Sequence, residues 1–455
     1  MGKTLSFLEK LYVGLLLVVF GGVVVHAPLT VGLSTLWPDA ALYIKSWKEI
    51  VLGVALLLCV VILTTKKQWG VVHSKLMYGI AAFAALHVAL IPFFYTGFNS
   101  TVAGLFIDVR FLLYFVLVYV AIKLYPQLFG LFMKVFVFGM LLSMVFAVLQ
   151  ITVLPHDVLR HIGYNESTIM PYLTVDQNTN YVRINGTLRG PNPLGLYATI
   201  ALVTALVTGL LSGAKKIKLW LVWVLGISAT LAVWASYARS AALAAVAAVA
   251  MVLLVVYGRV MTRRVWLAIG LGALVLTGSI VTFRDTELVS QVVLHEDPNE
   301  GNDVNSNDGH LSSLAEGSRR LVRQPFGAGV GSTGSASLLG DSPIIIENQY
   351  LFVAHESGWL GLGLFIGVMY MVLAQAWRRR KERQLALIVC ATGVGIAVAG
   401  LFLPVWADDT VSIVWWGIAA MALAVPTGVS GGVSHEARKM VRKNTREGSK
   451  KEATA

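Results

Sequence analysis

Long apolar runs recur along almost the whole chain and constrain its possible folds more than any other feature. The runs are about 20 residues long, which is the length of α-helix that crosses a hydrocarbon core of roughly 30 Å. Hydrophobic residues make up 56% of the 455 positions and charged residues only 13%, whereas soluble domains carry about 25% charged residues. The shorter segments of alternating hydrophobicity that build membrane β-barrels are absent. The sequence therefore predicts an all-α, polytopic membrane protein.

Twelve transmembrane helices are predicted from these runs. Their approximate ranges are 8–26, 49–65, 77–97, 103–123, 129–153, 193–213, 217–235, 240–257, 266–283, 350–375, 385–405 and 411–428. Alternate connections and the C-terminal tail contain 25 of the 36 lysines and arginines, and the positive-inside rule assigns that side, with both termini, to the cytoplasm. The net charge of +12 follows from this distribution and requires no nucleic-acid partner. Residues 1–428 are expected to form one transmembrane domain, and residues 429–455 a basic, disordered cytoplasmic tail.

Two of the predicted extracytoplasmic connections are long, residues 154–192 and residues 284–349. The second lies between the ninth and tenth predicted helices and contains an acidic, asparagine-rich patch, three arginines and a glycine-rich turn at 327–334. A further connection, 26–48, holds aromatic residues and is expected to lie in the membrane interface. A chain that keeps one long polar segment outside an otherwise apolar bundle is expected to carry its chemistry there.

Arginine dominates the 11 basic residues that fall outside the cytoplasmic set, since nine of them are arginines. Arginine keeps its charge and binds phosphate oxygens through a planar fork of donors. An outward-facing group of arginines therefore indicates an anionic lipid headgroup or a diphosphate. Snorkelling and ion pairing within loops remain the alternative for each arginine taken singly. The candidate diphosphate- or glycan-binding arginines are Arg183, Arg189, Arg239, Arg319, Arg320 and Arg323.

Arg239 has the most informative position among these arginines. It lies in a short turn, Ser236–Ser240, between two apolar helices, at the level where a lipid diphosphate would rest. An interfacial anchor is its alternative role. Arg183 and Arg189 precede Pro193, which is expected near the start of a helix. The positive end of the helix dipole favours anions at that place.

Glu347, His355 and Glu356 are the candidates for a general base. Glu347 and His355 are eight residues apart, so a continuous helix would place both on roughly one face. A carboxylate or imidazole at a partly dry membrane boundary can have a pKa suited to proton abstraction. The structural alternatives are an acid at a helix start and a hydrogen-bonded membrane histidine. Asp108 and Arg110 form a further candidate pair inside the fourth predicted helix, with either a functional or a structural role.

No metal ion or other cofactor is predicted. The segment Asp303–Gly309 has the composition of a calcium-binding loop, but Asp308 stands where that loop needs glycine and Leu314 where it needs glutamate. Cys59 and Cys390 both fall inside apolar runs and are expected to be inert membrane residues.

Four stretches of the chain resemble motifs of the bacterial O-antigen ligase and O-antigen polymerase family of membrane glycosyltransferases. They are Arg183–Gly195, Arg239 with Leu243, the segment from Ser318 to Gly329, and Asn348 with Gly358 and Gly361. Together with the helix count and the long outer loop, the resemblance covers about residues 100–410. It implies a GT-C-like helical fold and a donor glycan carried on undecaprenyl diphosphate.

The resemblance also implies the reaction and its place. The glycan would pass, at the outer face of the bacterial cytoplasmic membrane, to a hydroxyl of the lipid A core (a ligase) or of another glycan (a polymerase). The sequence does not separate these two outcomes or name the sugar. Family members use no nucleotide sugar and invert the anomeric centre without a metal. Arg239, with Arg319 or Arg320, would hold the leaving diphosphate, and Arg183 and Arg189 would contact the donor. Asn348 is a further candidate for binding the diphosphate or the glycan.

One position departs from the family pattern. A histidine usually precedes the asparagine that matches Asn348, whereas this chain has Glu347 there and His355 as the nearest histidine. Either Glu347 or His355 is therefore expected to take the proton of the acceptor hydroxyl. A lipid-linked glycan or solute transporter is the alternative function. A transporter is expected to hold its site near the membrane midplane, at broken helices in repeated halves, and the sequence contains no evident internal repeat.

Overall fold

The structure, a computed structural model, describes residues 5–175, 178–211, 219–258, 306–341 and 343–425, with scattered positions between 271 and 290. Helices dominate these residues, and one antiparallel hairpin interrupts them, formed by β1 (Leu173–Val175) and β2 (Asn178–Arg183). The helices are α1 (Phe7–Gly22), α2 (His26–Leu36), α3 (Ala41–Lys45), α4 (Trp47–Lys66), α5 (Lys75–Leu90), α6 (Phe98–Leu124), α7 (Phe129–Thr152), α8 (Pro191–Leu211), α9 (Leu219–Ala235), α10 (Arg239–Tyr257), α11 (Ser306–Arg323), α12 (Gly334–Ser337), α13 (Gln349–Arg379), α14 (Gln384–Ala399) and α15 (Asp409–Ala424).

Seven helical units of the described chain are long and apolar enough to cross a membrane, and four shorter apolar helices accompany them. This confirms an all-α architecture with multiple candidate spans, as expected of a multi-pass membrane protein. Eleven of the twelve predicted segments coincide with observed helices. The ninth segment, 266–283, and the tail, 429–455, lie outside the described residues apart from a few positions of the former. A full count of twelve crossings stays a prediction.

Three local features differ from the sequence-based expectation. The first helix does not end near residue 26, because a 3₁₀ turn carries α1 into α2 and the combined candidate span reaches Leu36. The polar connection before α13 is not wholly irregular, since α11 forms over 306–323. The connection 154–192 contains the β1–β2 hairpin.

Small residues bring α8, α10 and α14 close together. Gly195 of α8 packs against Ala241 of α10, and Gly395 of α14 packs against the backbone at Ala244. Between helices in a bilayer, such residues allow backbones to approach and gain dispersion energy where water provides no driving force. A larger side chain at Gly395 would collide with the Ala244 carbonyl oxygen, so this residue type determines the spacing of the bundle.

The long helix α13 is broken at Gly358, whose backbone has φ 68° and ψ −167°. The segment just after α11 fills the break. Ala328 N–H donates to the His355 carbonyl at 2.6 Å, and Gly329 N–H donates to the Glu356 carbonyl at 3.1 Å. Backbone groups freed inside a membrane must find partners within the protein, and these contacts supply them.

Replacing Gly358 with alanine is expected to destabilise the protein, because the observed φ and ψ are adopted almost only by glycine and cost other residues about 1–3 kcal/mol. The new methyl group would also collide with the backbone of Pro325 and Phe326. Gly363, in the same helix, has no heavy atom within 4 Å of the place of a Cβ. Gly363→Ala should therefore be neutral or stabilising by up to about 1 kcal/mol. Reversible unfolding in detergent would compare the two; equal stability of both variants would contradict the broken-helix geometry.

Candidate functional site

Arg183 is bound to the turn that leads into Arg239. Its Nε donates to the Ser236 carbonyl at 2.9 Å, and its Nη2 donates to Asn192 Oδ1 at 2.7 Å. Ile184 N–H extends the contact by donating to the Ala235 carbonyl at 3.3 Å. The strand β2 thus ends against the α9–α10 turn, and two of the predicted arginines fall in one region of the fold.

Arg239 lies at the same end of the bundle as the start of α13. Ala244 and Gly395 are in contact, and five residues of helix, about 7.5 Å, separate Ala244 from Arg239 and Gly395 from Gly400. The Gly400 carbonyl in turn accepts the Gln349 N–H at 2.7 Å. Arg239 and Gln349 are therefore at about the same depth, near the end of α14.

Arg189 is exposed and lies within electrostatic range of Asp408. Asp408 caps α15, where its side chain accepts the Val411 N–H at 2.9 Å. Burial raises the pKa of Asp408, while the Val411 hydrogen bond and the charges of Arg189 and Arg110 oppose that rise. These contacts put the start of α8 beside the start of α15.

Glu347 lies just before α13, so the expectation that Glu347 and His355 share a face of one continuous helix is wrong. Asn348 is the N-cap, and its Oδ1 accepts the N–H groups of Tyr350 at 2.9 Å and Leu351 at 3.0 Å. The Asn348 amide also donates to the Leu401 carbonyl at 2.9 Å. Helix capping therefore accounts for the buried side chain of Asn348, and its role in substrate binding stays a prediction. Glu347 is half-buried at the same end of the bundle.

The three arginines of the second loop lie on α11, which packs over the first half of α13. Glu347 N–H donates to Ser313 Oγ at 2.9 Å, and Trp359 Nε1 donates to the Leu321 carbonyl at 2.7 Å. Arg319 Nη1 and Arg320 Nε both bind the Glu316 carboxylate, at 3.0 and 2.8 Å. The third arginine, at position 323, is exposed at the end of this helix.

His355 is buried between α11 and the glycine-rich loop 327–334. Only 1% of its surface is exposed, and neither ring nitrogen makes a hydrogen bond within the described part of the chain. The Ser332 backbone approaches the ring, and Arg320 and Glu316 act on it electrostatically. An imidazole with two unengaged nitrogens next to an arginine can accept a proton only if a substrate or water reaches it.

Arg110 does not form an ion pair with Asp108, so the structural ion pair that was one of the two roles expected for these residues is not formed. Arg110 instead binds Asp409, Glu49 at 3.3 Å and the Ala407 carbonyl at 2.7 Å. Lys48 joins the same cluster through Glu49 at 3.2 Å and Asp409 at 3.0 Å. Sequence reasoning did not foresee this cluster, because its members come from three helices, α4, α6 and α15, that are far apart in the chain and that only folding brings together.

Asp108 points away from Arg110 towards two other buried groups. His87 Nε2 lies 3.6 Å from Asp108 Oδ2, and the Glu356 carboxyl is within hydrogen-bonding range of Asp108. Glu356 Oε1 also accepts the backbone N–H groups of Gly331 at 3.0 Å and Thr333 at 3.4 Å. Glu356 therefore binds the glycine-rich loop inside the bundle. It does not face solvent, whereas a general base would need to be reached by the acceptor.

Three of the cavities lined by described residues adjoin the bundle helices, and none of these three is lined by a predicted catalytic or substrate-binding residue. Two cavities, of about 540 Å³ each, adjoin α8 and α9; one of them also reaches the start of α14, at the opposite end of α14 from Gln349. The third, of about 10 Å³, lies beside Asp108 and Gln349. In the described part of the chain, no three His, Cys, Asp or Glu side chains are grouped to hold a metal ion.

The predicted arginines thus form two groups at one end of the bundle, one at the α9–α10 turn and one on α11. The start of α13, which Glu347 precedes, is at the same end and is hydrogen-bonded to α11. Arginines and an acid gathered at one end of the bundle could hold an anion beside a proton acceptor. No protein-family model and no curated protein sequence matches this chain.

Proposed function

We propose that this chain is a membrane glycosyltransferase that moves a glycan from an undecaprenyl-diphosphate-linked donor to an acceptor hydroxyl. The acceptor is a lipid A core in a ligase, or another cell-envelope glycan in a polymerase. The reaction takes place at the outer face of the bacterial cytoplasmic membrane, and both termini of the chain are cytoplasmic. No cofactor takes part in the proposed reaction, and the remaining partners are membrane lipids.

The observation that carries this proposal is the presence of two arginine groups at the end of the bundle where α13 starts. Arg239 and Gln349 are at about the same depth, where α14 ends. Helix α11, which contains the second group, is hydrogen-bonded through Ser313 to Glu347, the residue before Asn348. Guanidinium groups hold phosphate oxygens in a bidentate geometry, so arginines of both groups could bind one diphosphate.

In the proposed mechanism, Arg239 and either Arg319 or Arg320 hold the diphosphate and stabilise the negative charge that develops on it. Glu347 accepts the proton of the acceptor hydroxyl as its oxygen attacks the anomeric carbon. The bond from that carbon to the diphosphate oxygen breaks, and undecaprenyl diphosphate leaves with the electron pair. Attack opposite the leaving group inverts the anomeric centre. Arg183 and Arg189 contact the donor, and Arg323 adds positive charge at the end of α11.

A direct assay tests this reaction. The purified protein in proteoliposomes would receive an undecaprenyl-diphosphate-linked glycan and a matching acceptor, and released undecaprenyl diphosphate would be measured by mass spectrometry. Release that depends on the acceptor is the expected result. Absence of release with both lipid A core and glycan acceptors would overturn the proposal. Comparing those acceptors also separates ligase from polymerase.

Arg239→Lys is expected to lower the rate of diphosphate release about tenfold to a hundredfold. Lysine keeps the positive charge but cannot form the bidentate contact, and loss of one donor to a developing anion commonly costs more than that. Arg160→Lys is a suitable control, because the Arg160 side chain is 73% exposed and its guanidinium pairs with nearby Asp157. Full activity of the Arg239→Lys protein would remove the phosphate role from Arg239.

A second candidate function, transport of a lipid-linked glycan or solute, is favoured by the break in α13. Transporter sites often lie at discontinuous membrane helices that carry buried ionisable groups, and Gly358 interrupts α13 next to the buried Glu356. A transporter would move labelled donor across the proteoliposome membrane without releasing undecaprenyl diphosphate. Movement without release would favour this second function over the first.

A further inference from the structure

Three buried ionisable side chains meet inside the bundle, apart from the proposed transferase site. They come from three helices: His87 from α5, Asp108 from α6 and Glu356 from α13. Their exposed fractions are 1%, 7% and 1%. Burying unpaired charges is costly, so a cluster of two carboxyls needs compensation by protons or by positive charge.

The hydrogen bonds of Glu356 leave one of its oxygens without a donor. Oε1 accepts the N–H groups of Gly331 and Thr333, whereas Oε2 is buried and has no donor among the described residues. Asp108 Oδ2 is likewise buried and has no hydrogen-bond donor among the described residues. Since the two carboxyls are within hydrogen-bonding range of each other, one proton between them would satisfy both carboxyls at once.

The tautomer of His87 follows from its own helix. His87 Nδ1 lies 2.9 Å from the Phe83 carbonyl, which can only accept, so Nδ1 carries a proton. The other nitrogen, Nε2, is then the one that faces Asp108 Oδ2 at 3.6 Å. A neutral His87 directs a lone pair at that oxygen and can receive a proton from the carboxyl pair.

The arginines nearest to the cluster form ion pairs with other acidic residues. Arg110 is two residues from Asp108 but binds Asp409 and Glu49. On α11, Arg320 binds Glu316 and acts on His355, which is adjacent to Glu356 in sequence. The glycine-rich loop 327–334 contributes no titratable side chain, and the small cavity beside Asp108 is otherwise lined by Gln349, apolar residues and Trp406.

We propose that His87, Asp108 and Glu356 form a buried proton-binding site in which one proton is held between the two carboxyls. Two neighbouring buried carboxylates cannot both stay ionised in a dry environment, so one retains its proton. The site belongs to the helix bundle and does not depend on the proposed transferase activity. Because Glu356 also binds the Gly331 and Thr333 amides, the proton lies at the junction between the glycine-rich loop and the broken helix.

Infrared spectroscopy of the purified protein tests this site directly, because the C=O stretch of a protonated carboxyl is separate from that of a carboxylate. At neutral pH the wild-type protein should show a protonated-carboxyl band that shifts in heavy water. Asp108→Asn and Glu356→Gln should each remove the intensity of one carboxyl group, since the amide takes the place of the protonated acid and leaves its partner ionised. Loss of the band in either variant supports the site.

Glu9→Gln is the matched control. Glu9 is also buried, but it pairs with Lys66 and accepts the Ser6 N–H at 2.8 Å, so it is ionised and the band should persist without it. Absence of the band in the wild-type protein would overturn the proposal even if a variant failed to fold. Persistence of the band in both Asp108→Asn and Glu356→Gln proteins would also overturn it.

Discussion

Replacing Arg110 with methionine is expected to lower the free energy of unfolding by about 3–5 kcal/mol. Arg110 and Lys48 balance Asp409 and Glu49 in one buried cluster. Methionine preserves much of the side-chain volume but leaves one negative charge uncompensated and removes the donor to the Ala407 carbonyl. Leaving one member of a buried ionic group without its partner is among the most destabilising single changes.

Unfolding of purified protein in mixed micelles would measure this effect. Arg160→Met is the control, because it removes an exposed ion pair with Asp157, a kind of pair that contributes roughly 0–1 kcal/mol. Equal loss of stability in the two variants would show that the cluster does not hold α4, α6 and α15 together.

The second large effect is expected at the general base. Glu347→Gln should lower the rate of glycan transfer about 10²–10⁴-fold, because a positioned base contributes an acceleration of that size. His355→Gln should lower the rate of glycan transfer by less than about tenfold. Glu347 is half-buried at the same end of the bundle as Arg239, where an acceptor can approach, whereas His355 is only 1% exposed. This prediction rests on the proposed transferase function.

Initial rates of undecaprenyl diphosphate release, measured with both proteins at saturating donor, would compare the two residues. Glutamine is close in size to glutamate, and its side-chain amide reaches about as far as the histidine ring for hydrogen bonding. Each variant therefore tests the loss of a proton acceptor more than a change in packing. A reversed order of effects, with His355→Gln almost inactive and Glu347→Gln almost unchanged, would assign the base to His355.

Helix-forming segments could be predicted from the sequence because their signal is local. A run of apolar residues such as 103–123 must bury its backbone polar groups when it enters a membrane, and a helix does so within the segment itself. Eleven predicted segments therefore coincide with helices. The extension of α1 into α2 was missed because residues 26–48 were predicted to be a connection in the membrane interface.

The arrangement of charged residues could not be predicted in the same way. Asp108 and Arg110 are two residues apart, and on a helix a separation of two turns the side chains to different faces. Arg110 consequently reaches α4 and α15, while Asp108 reaches α5 and α13. Their partners are Glu49, Asp409, His87 and Glu356, and no spacing rule connects such distant positions.

The sequence by itself determined that this chain is helical and built of membrane-length apolar segments, because hydrophobicity and backbone hydrogen bonding act within each segment. It also indicated that nine of the 11 basic residues outside the connections predicted to be cytoplasmic are arginines. Only the tertiary structure decided which charges meet. Only in the folded chain is α13 broken at Gly358, with the glycine-rich loop packed into the break and Glu356 next to Asp108. These contacts depend on close packing between segments that are far apart in the chain.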